Sequence, residues 1–317
     1  MPTWINFLID SVAFGATFMF GSTGEIITEK SGHLNLGIPG IMCMGGAGGC
    51  LMLNLIGTSG MPGFLIVLLG IIASFASAAL MGLIYSFLTI TLRCNQNVTG
   101  LTLTTFGTGL MMTLMAKATQ TKYLNIPKKY FRFPFAARTD SLQKLGVMFF
   151  LVIAIIILAW FILNKTKVGL NLKAVGENPS TADTAGINVI RYKYLATTIG
   201  AGISGLGGLY YIVDYSASGE AYKSLEAYGW LSIALVIFAL WRPLRTIAGS
   251  ILFGVLFSFS SYITLIPFIE TTLKTKPILQ MLPYIATIII LIVSSVKNKK
   301  ENQPPSSLGL SYFREDR

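Results

Sequence analysis

The chain has 317 residues, 53% of them hydrophobic and only 12% charged, with a formal net charge of +11. Soluble domains carry roughly 25% charged residues, whereas the stretches 31–92, 94–116, 145–164, 194–213, 246–269 and 277–296 hold no Asp, Glu, Lys or Arg. A bilayer-spanning helix needs about 20 mainly apolar residues, so the composition excludes a soluble enzyme, a disordered scaffold and a disulfide-stapled secreted domain. It defines an all-α, polytopic membrane protein.

Nine membrane segments are predicted, near 4–23, 35–56, 63–92, 97–116, 145–163, 194–213, 229–241, 246–266 and 279–296. All are expected to be helical, because an open sheet edge cannot satisfy its backbone in hydrocarbon. The first lacks a basic leader and an early small-residue cleavage site, so it is expected to be retained. Between the first and second lies a polar stretch, residues 24–40, with glycines at 24, 32, 37 and 40 and a proline at 39. One uninterrupted helix cannot hold it. It reads either as an interrupted element beside a polar path, tolerated at membrane depth where protein or a wet cavity surrounds it, or as an ordinary cytoplasmic turn.

On the second segment Gly45 and Gly49 form a GxxxG pair, and Gly200, Ser204 and Gly208 repeat the four-residue spacing on the sixth. Such residues let helix backbones approach closely in lipid. Cys43 and Cys50 read as small packed residues, Cys94 has no metal-ligand spacing to them, and the single histidine, His33, cannot build a histidine site alone. No metal is expected. The fourth segment opens with Asn95-Gln96-Asn97-Val98-Thr99, whose glycosylation sequon is coincidental at the mouth of an apolar span.

Lys and Arg set the orientation. The 165–193 connection carries Lys165, Lys167, Lys173, Arg191 and Lys193, the next loop on that side carries Arg242 and Arg245, and Lys297, Lys299 and Lys300 open the tail. These place the 165–193 connection and the C-terminus in the cytoplasm and, through nine spans, the N-terminus outside. The 117–144 connection holds seven basic residues against Asp140 alone, yet parity puts it outside: either a span in the first half is miscounted or, the favoured reading, such a surface serves an external partner. Because the basic residues sit in connections, they reflect topology and lipid headgroups, and no nucleic-acid partner is expected.

Within 165–193, Asn178 is a good N-cap, Pro179 fits the first helical position and Gly186 fits C′. The helix they delimit, 179–185, is about 10 Å long. A helix so short persists only when docked, and on the cytoplasmic face it either suits a subunit that receives force from a soluble motor or is a capped helix packing on its own protein. Further on, Gly200, Gly202 and Gly205 spell GxGxxG, but the dinucleotide fingerprint needs a strand before it, and here it lies inside an apolar span. Lys30-Ser31 follows Glu29 instead of the glycine of a phosphate loop, so ATP dependence must come from another subunit.

Two segments carry a family resemblance. Gly24-Glu25-Ile26-Ile27-Thr28-Glu29-Lys30-Ser31-Gly32 with Leu34-Asn35-Leu36-Gly37, and Lys173-Ala174-Val175-Gly176-Glu177-Asn178-Pro179 with Ala185-Gly186-Ile187, resemble motifs of the membrane permeases of ABC importers in the branched-chain amino acid/simple sugar group. The likeness is nearest to the nucleoside branch served by Bmp-type lipoprotein receptors, and Asn95-Gln96 with Val98-Thr99-Gly100 is similar to a turn of that branch. Pro39 stands where the family often has an acidic residue, and His33 where an apolar one is usual.

The resemblance implies a type II importer permease, with residues 1–296 as the transmembrane domain and 297–317 as a cytoplasmic polar tail. It would lie in a bacterial cytoplasmic membrane beside a second, homologous permease, an ABC ATPase with two nucleotide-binding domains and an external substrate-binding lipoprotein. The permease itself would be no enzyme and hold no cofactor, ATP and Mg belonging to the ATPase. Glu177, Asn178, Pro179, Ala182, Asp183 and Gly186 would form the coupling helix, at about 178–186, and Glu25, Asn35, Asn95, Gln96, Asn97 and Thr102 would line the translocation path. Nucleosides lead as substrates, with simple sugars and branched-chain amino acids next. A stand-alone secondary transporter would show ionisable residues within its spans, and Asp10 is the only one well inside a predicted segment.

Overall fold

A computed structural model describes residues 3–57, 59–118, 145–218, 220–262, 281–297 and 303–313. From residue 119 onward, the basic 117–144 connection lies outside the described residues. Every regular element among the described residues is helical: α1 (Thr3–Glu29), α2 (Ile38–Ile56), α3 (Gly63–Ser86), α4 (Gln96–Ala118), α5 (Val147–Lys165), α6 (Lys167–Glu177), α7 (Pro179–Thr184), α8 (Val189–Leu209), α9 (Leu225–Phe238), α10 (Pro243–Tyr262) and α11 (Leu282–Lys297). α3 and α8 each run on into a π-helical end, Phe87–Thr91 and Tyr210–Ser216. Among the described residues, six helical stretches are long and apolar enough to cross a bilayer: Trp4–Glu29, Ile38–Ile56, Gly63–Thr91, Gln96–Ala116, Val147–Lys165 and Val189–Ser216. The last three predicted segments fall on α9, α10 and α11, of which α10 holds a shorter apolar stretch, Pro243–Phe259.

α8 is the hub. In its most apolar window 89% of residues are buried inside the protein, against 28% for α5, so α8 is a core helix and α5 an outer one. The burial follows from its small residues. Gly200 and Ser204 receive Gly24 of α1, Gly205 meets Gly45 of α2, and Gly208 lies against the Met42 carbonyl. Hydrogen bonds fasten these crossings, since Ser204 Oγ donates to the Gly21 carbonyl at 3.1 Å, Ser74 Oγ of α3 to the Gly205 carbonyl at 3.2 Å and Tyr210 OH to the Ala13 carbonyl at 2.7 Å. In lipid, such packing and interhelical bonds replace the hydrophobic drive as the source of association. The GxGxxG run is therefore a helix-contact surface, with Gly202 facing the ring of Phe75.

α1 outruns its predicted end at residue 23 and continues through the polar stretch to Glu29. Ser31 and Gly32, the latter at φ +84°, then turn the chain, and α2 begins only at Ile38 with Pro39 in its first turn. At the opposite end of the bundle, Phe14 and Phe18 of α1 pack with Tyr211 and Tyr215 beyond α8, Tyr228 of α9 and Phe257 of α10, at ring separations from 4.8 to 6.3 Å among their neighbours. Edge-to-face contacts dominate, as the ring quadrupoles favour.

Candidate functional site: a capped surface helix and the polar seam beneath it

α7 is built by its caps. Asn178, in an extended conformation, accepts the Thr181 amide on Oδ1 at 3.0 Å, and Pro179 takes the first position, where no amide is needed. At the other end Gly186 donates to the Asp183 carbonyl at 3.0 Å and Ile187 to the Ala182 carbonyl at 3.0 Å, with Gly186 at φ +83°. This is the paired bonding of a Schellman stop, which needs the left-handed backbone glycine supplies. The helix is six residues long, one shorter than predicted. Its one buried side chain, Ala182, packs with Val175 of α6 and Val189 of α8. α6 and α8 carry caps of their own, Thr166 accepting from Gly169 at 3.2 Å and Asn188 from Arg191 at 3.0 Å. α7 is thus held at its two caps and at Ala182, while Thr181 and Thr184 are exposed.

A further support had no signal in the sequence. Residues 303–313 lie back across this end of the bundle. Ser306 donates its hydroxyl to Glu177 Oε2 at 2.7 Å, Ser307 binds the Gly176 carbonyl at 2.6 Å, and Tyr312 OH donates to Asp183 Oδ2 at 2.9 Å. Gly309 donates to the Gly32 carbonyl at 3.2 Å, and the Phe313 ring lies 4.7 Å from the guanidinium carbon of Arg93, a residue held at φ +58°. Of the sequence-derived coupling residues, Glu177 and Asp183 hold the tail, Asn178, Pro179 and Gly186 shape the helix, and Ala182 seats it.

The path residues divide into two sets. Glu25, Asn35 and Gln96 are buried together: Glu25 Oε1 accepts the Asn35 amide at 3.1 Å, Asn35 Oδ1 accepts the Gly37 amide at 2.9 Å, and Gln96 Oε1 accepts the Leu34 amide at 2.8 Å. These side chains satisfy the non-helical backbone of the interruption, which has no helix partners of its own. Tyr85 adds a bond to the Leu34 carbonyl at 2.6 Å, Thr104 one to the Leu36 carbonyl at 2.9 Å, and Gln96 Nε2 reaches the Leu310 carbonyl at 3.3 Å. Asn95, Asn97 and Thr102 are instead exposed on α4. There Asn95 caps the helix, accepting from Asn97 and Val98 at 3.0 and 3.1 Å, and Thr102 bonds the Val98 carbonyl at 2.8 Å.

Sequence reasoning missed Glu29 and Trp241. Glu29 is 2% exposed and accepts the indole N–H of Trp241, which sits at the corner between α9 and α10. Because α1 is longer than predicted, Glu25 and Glu29 join Asp10 inside a bilayer-length helix, and Lys193 and Asp214 lie within another. The expectation that Asp10 stands alone is corrected accordingly. Its phenolic partner is Tyr262, at 2.6 Å. His33, in the interruption, is 2% exposed, and burial holds its pKa well below the usual imidazole range, with Lys193 acting the same way. It is neutral at neutral pH.

Trp241→Phe keeps an aromatic ring, though a smaller one, and removes the donor to Glu29. Leaving a buried acceptor unpaired costs about 1–3 kcal/mol, and more where it is charged. The variant is expected to unfold at a lower temperature in detergent than the parent, and an unchanged midpoint would deny the indole this role.

Tightly crossed apolar helices around a hub, with a capped helix standing off one end, are the build of a multi-pass membrane subunit. Residues 7–293 match the family model for the permease component of the branched-chain amino acid transport system, and the chain belongs to that family of ABC transporter permeases. It is 32% identical to TsgC13 of Haloferax volcanii, an ABC transporter permease protein named for glucose, over 97% of this chain and 98% of that one. Identity is 32% to the nucleoside ABC transporter permease protein NupC of Lactococcus lactis, over 88% of each chain. The guanosine ABC transporter permease protein NupQ of Bacillus subtilis is 30% identical over 89% of each.

Proposed function

We propose that the chain is the membrane permease of an ATP-driven importer, that its substrates are nucleosides, and that α7 is its coupling helix. The observation that carries this reading is the pair of relatives named for nucleosides and guanosine, matched along most of both chains. In this reading α9, α10 and α11 complete nine spans, residues 1–296 form the permease domain, and the tail from 297 lies in the cytoplasm with α7, the N-terminus being outside. Support for one shared side comes from the tail's bonds to Gly176, Glu177 and Asp183.

The mechanism follows from the attachments of α7. ATP and Mg bind the partner ATPase, whose closure displaces α7. The shift passes through the Ala182–Val189 contact into α8, and from α8 through the Gly200–Gly24 contact into α1. Packed helices respond as rigid bodies rather than by smooth deformation. Two permeases would then rock between outward- and inward-facing states around a path lined by Glu25, Asn35 and Gln96, with Asn95, Asn97 and Thr102 on the α4 surface offered to the second permease. An external binding lipoprotein delivers substrate.

Reconstitution with a second permease, the ATPase and the lipoprotein should give ATP-dependent uptake of labelled guanosine that excess glucose does not suppress. Uptake by this chain alone, driven by an ion gradient, would overturn the importer reading. The relative named for glucose favours a second reading, a sugar importer. In that case glucose accumulates and guanosine does not.

A further inference from the structure

A cavity of about 320 Å³ lies beside α7, enclosed by segments far apart in the chain. Its wall takes His33 from the interruption, Arg93 from beyond α3, Gly186 from the turn after α7, Asn188 to Ile190 and then Lys193 from the start of α8, and Tyr312 from the tail. Small-molecule sites begin at about this size.

What this wall lacks is acceptors. Lys193 is 1% exposed, and its Nζ has no hydrogen-bond partner among the described residues. His33 is as deeply buried, and neither of its ring nitrogens has a partner there. The two side chains are close, since the Lys193 charge is felt at the imidazole. The Asn188 side chain takes the Arg191 amide, so the amides of Val189 and Ile190, in the first turn of α8, have no acceptor within the helix. Side chains on a helix lean toward its N-terminus, which carries Lys193 over that turn, four residues on from Val189. The carboxylate on the wall is Asp183, and it accepts the Tyr312 hydroxyl at 2.9 Å. Arg93 adds an exposed guanidinium, its central carbon 4.7 Å from the Phe313 ring.

A buried ammonium needs a matching charge as well as a hydrogen bond, which water alone does not supply. The start of a long helix favours an anion for the same reason. Lys contributes a point charge and Arg a planar fork that fits phosphate oxygens. Because the donors arrive from three elements, the interruption, the end of α3 and the start of α8, the three oxygens of a phosphate group serve them better than the two of a carboxylate. The tail and α7, both polar, border the cavity, so the phosphate comes from solution.

We propose that this cavity binds the phosphate group of a small soluble compound, held by Lys193, Arg93 and the first turn of α8 with one ring N–H of His33, and that the ligand ties the α7–α8 turn to the bundle. The full-length permease, purified in detergent, is titrated with inorganic phosphate, with short-chain phosphatidylglycerol and with sodium chloride at matched ionic strength. Its unfolding midpoint and the hydrogen exchange of the turn, residues 185–188, are followed together. Inorganic phosphate is expected to raise the midpoint beyond chloride and to slow exchange in the turn. Lys193→Met should weaken this response about tenfold or more, as loss of a charge-assisted bond implies, and Arg93→Gln, at an exposed position, should weaken it more mildly. Lys223→Gln, at an exposed cation paired with Glu220, should respond as the parent does. Four results would each overturn the proposal: a midpoint that follows ionic strength alone, a raised midpoint with unchanged exchange in the turn, protection by phosphatidylglycerol without protection by phosphate, or an undiminished response in both the Lys193 and the Arg93 variants.

Discussion

Under the coupling role proposed for α7, Gly186→Val combined with Asn178→Ala is expected to abolish co-purification of the partner ATPase, while the permease still inserts and purifies as before. The reason lies in how little else holds α7 in shape. Six residues cannot sustain a helix unaided, so its form depends on the two ends. Removing the Asn178 cap costs about 0.5–2 kcal/mol. Forcing a β-branched residue into the left-handed backbone at φ +83° adds about 1–2 kcal/mol. Space is not the obstacle, since a Cβ at Gly186 meets nothing within 4 Å; the backbone angle is. Asn178→Asp, which keeps a capping oxygen, should retain association, a rescue that simple destabilisation of the bundle would not produce. Undiminished capture of the ATPase by the double variant would remove α7 from the coupling role.

Gly208→Val should have the largest effect on the fold itself. A Cβ there would overlap the Met42 carbonyl, and its other near neighbours are also backbone atoms, so no side chain can swing aside. Overpacking in a core typically costs about 1–3 kcal/mol, and backbone-on-backbone overlap in the most buried helix belongs at or beyond the top of that range. The expected result is loss of the monodisperse peak in size-exclusion chromatography. Gly109→Ala on α4 is the matched control, because its Cβ would meet nothing within 4 Å. Alanine there should be neutral, or favourable by about 0.5–1 kcal/mol through helix propensity. Similar behaviour of the two variants would mean that the α2–α8 crossing is looser than its geometry.

The parts of the molecule legible in sequence are those set by local chemistry. Charge-free stretches marked the bilayer-length helices because lipid tolerates so few ionised groups. The ends of α7 were readable from Asn178, Pro179 and Gly186, since caps act within a few residues. Small residues at 200, 204 and 208 announced the hub, although only the structure pairs Gly24 with Gly200 and Gly45 with Gly205. What escaped depends on partners far along the chain. The end of α1 was set too early because Glu25 and Glu29 look like loop residues until Asn35 and Trp241, the latter 212 positions away, supply their bonds. The six path residues shared a polar look, yet helix phase and the fold of the interruption sent three inward and left three exposed. Nothing in Ser306, Ser307 or Tyr312 betrays that they return to α6 and α7.

That return has a consequence in time. Residues 303–313 leave the ribosome after every described helix has been made, yet they close the surface around α7 by binding Gly176, Glu177, Asp183 and Gly32. A half-made chain would therefore thread its hydrophobic body into the bilayer before the face around α7 is complete. Under the coupling role proposed for α7, an ATPase would find its seat complete only on permeases whose insertion is already over.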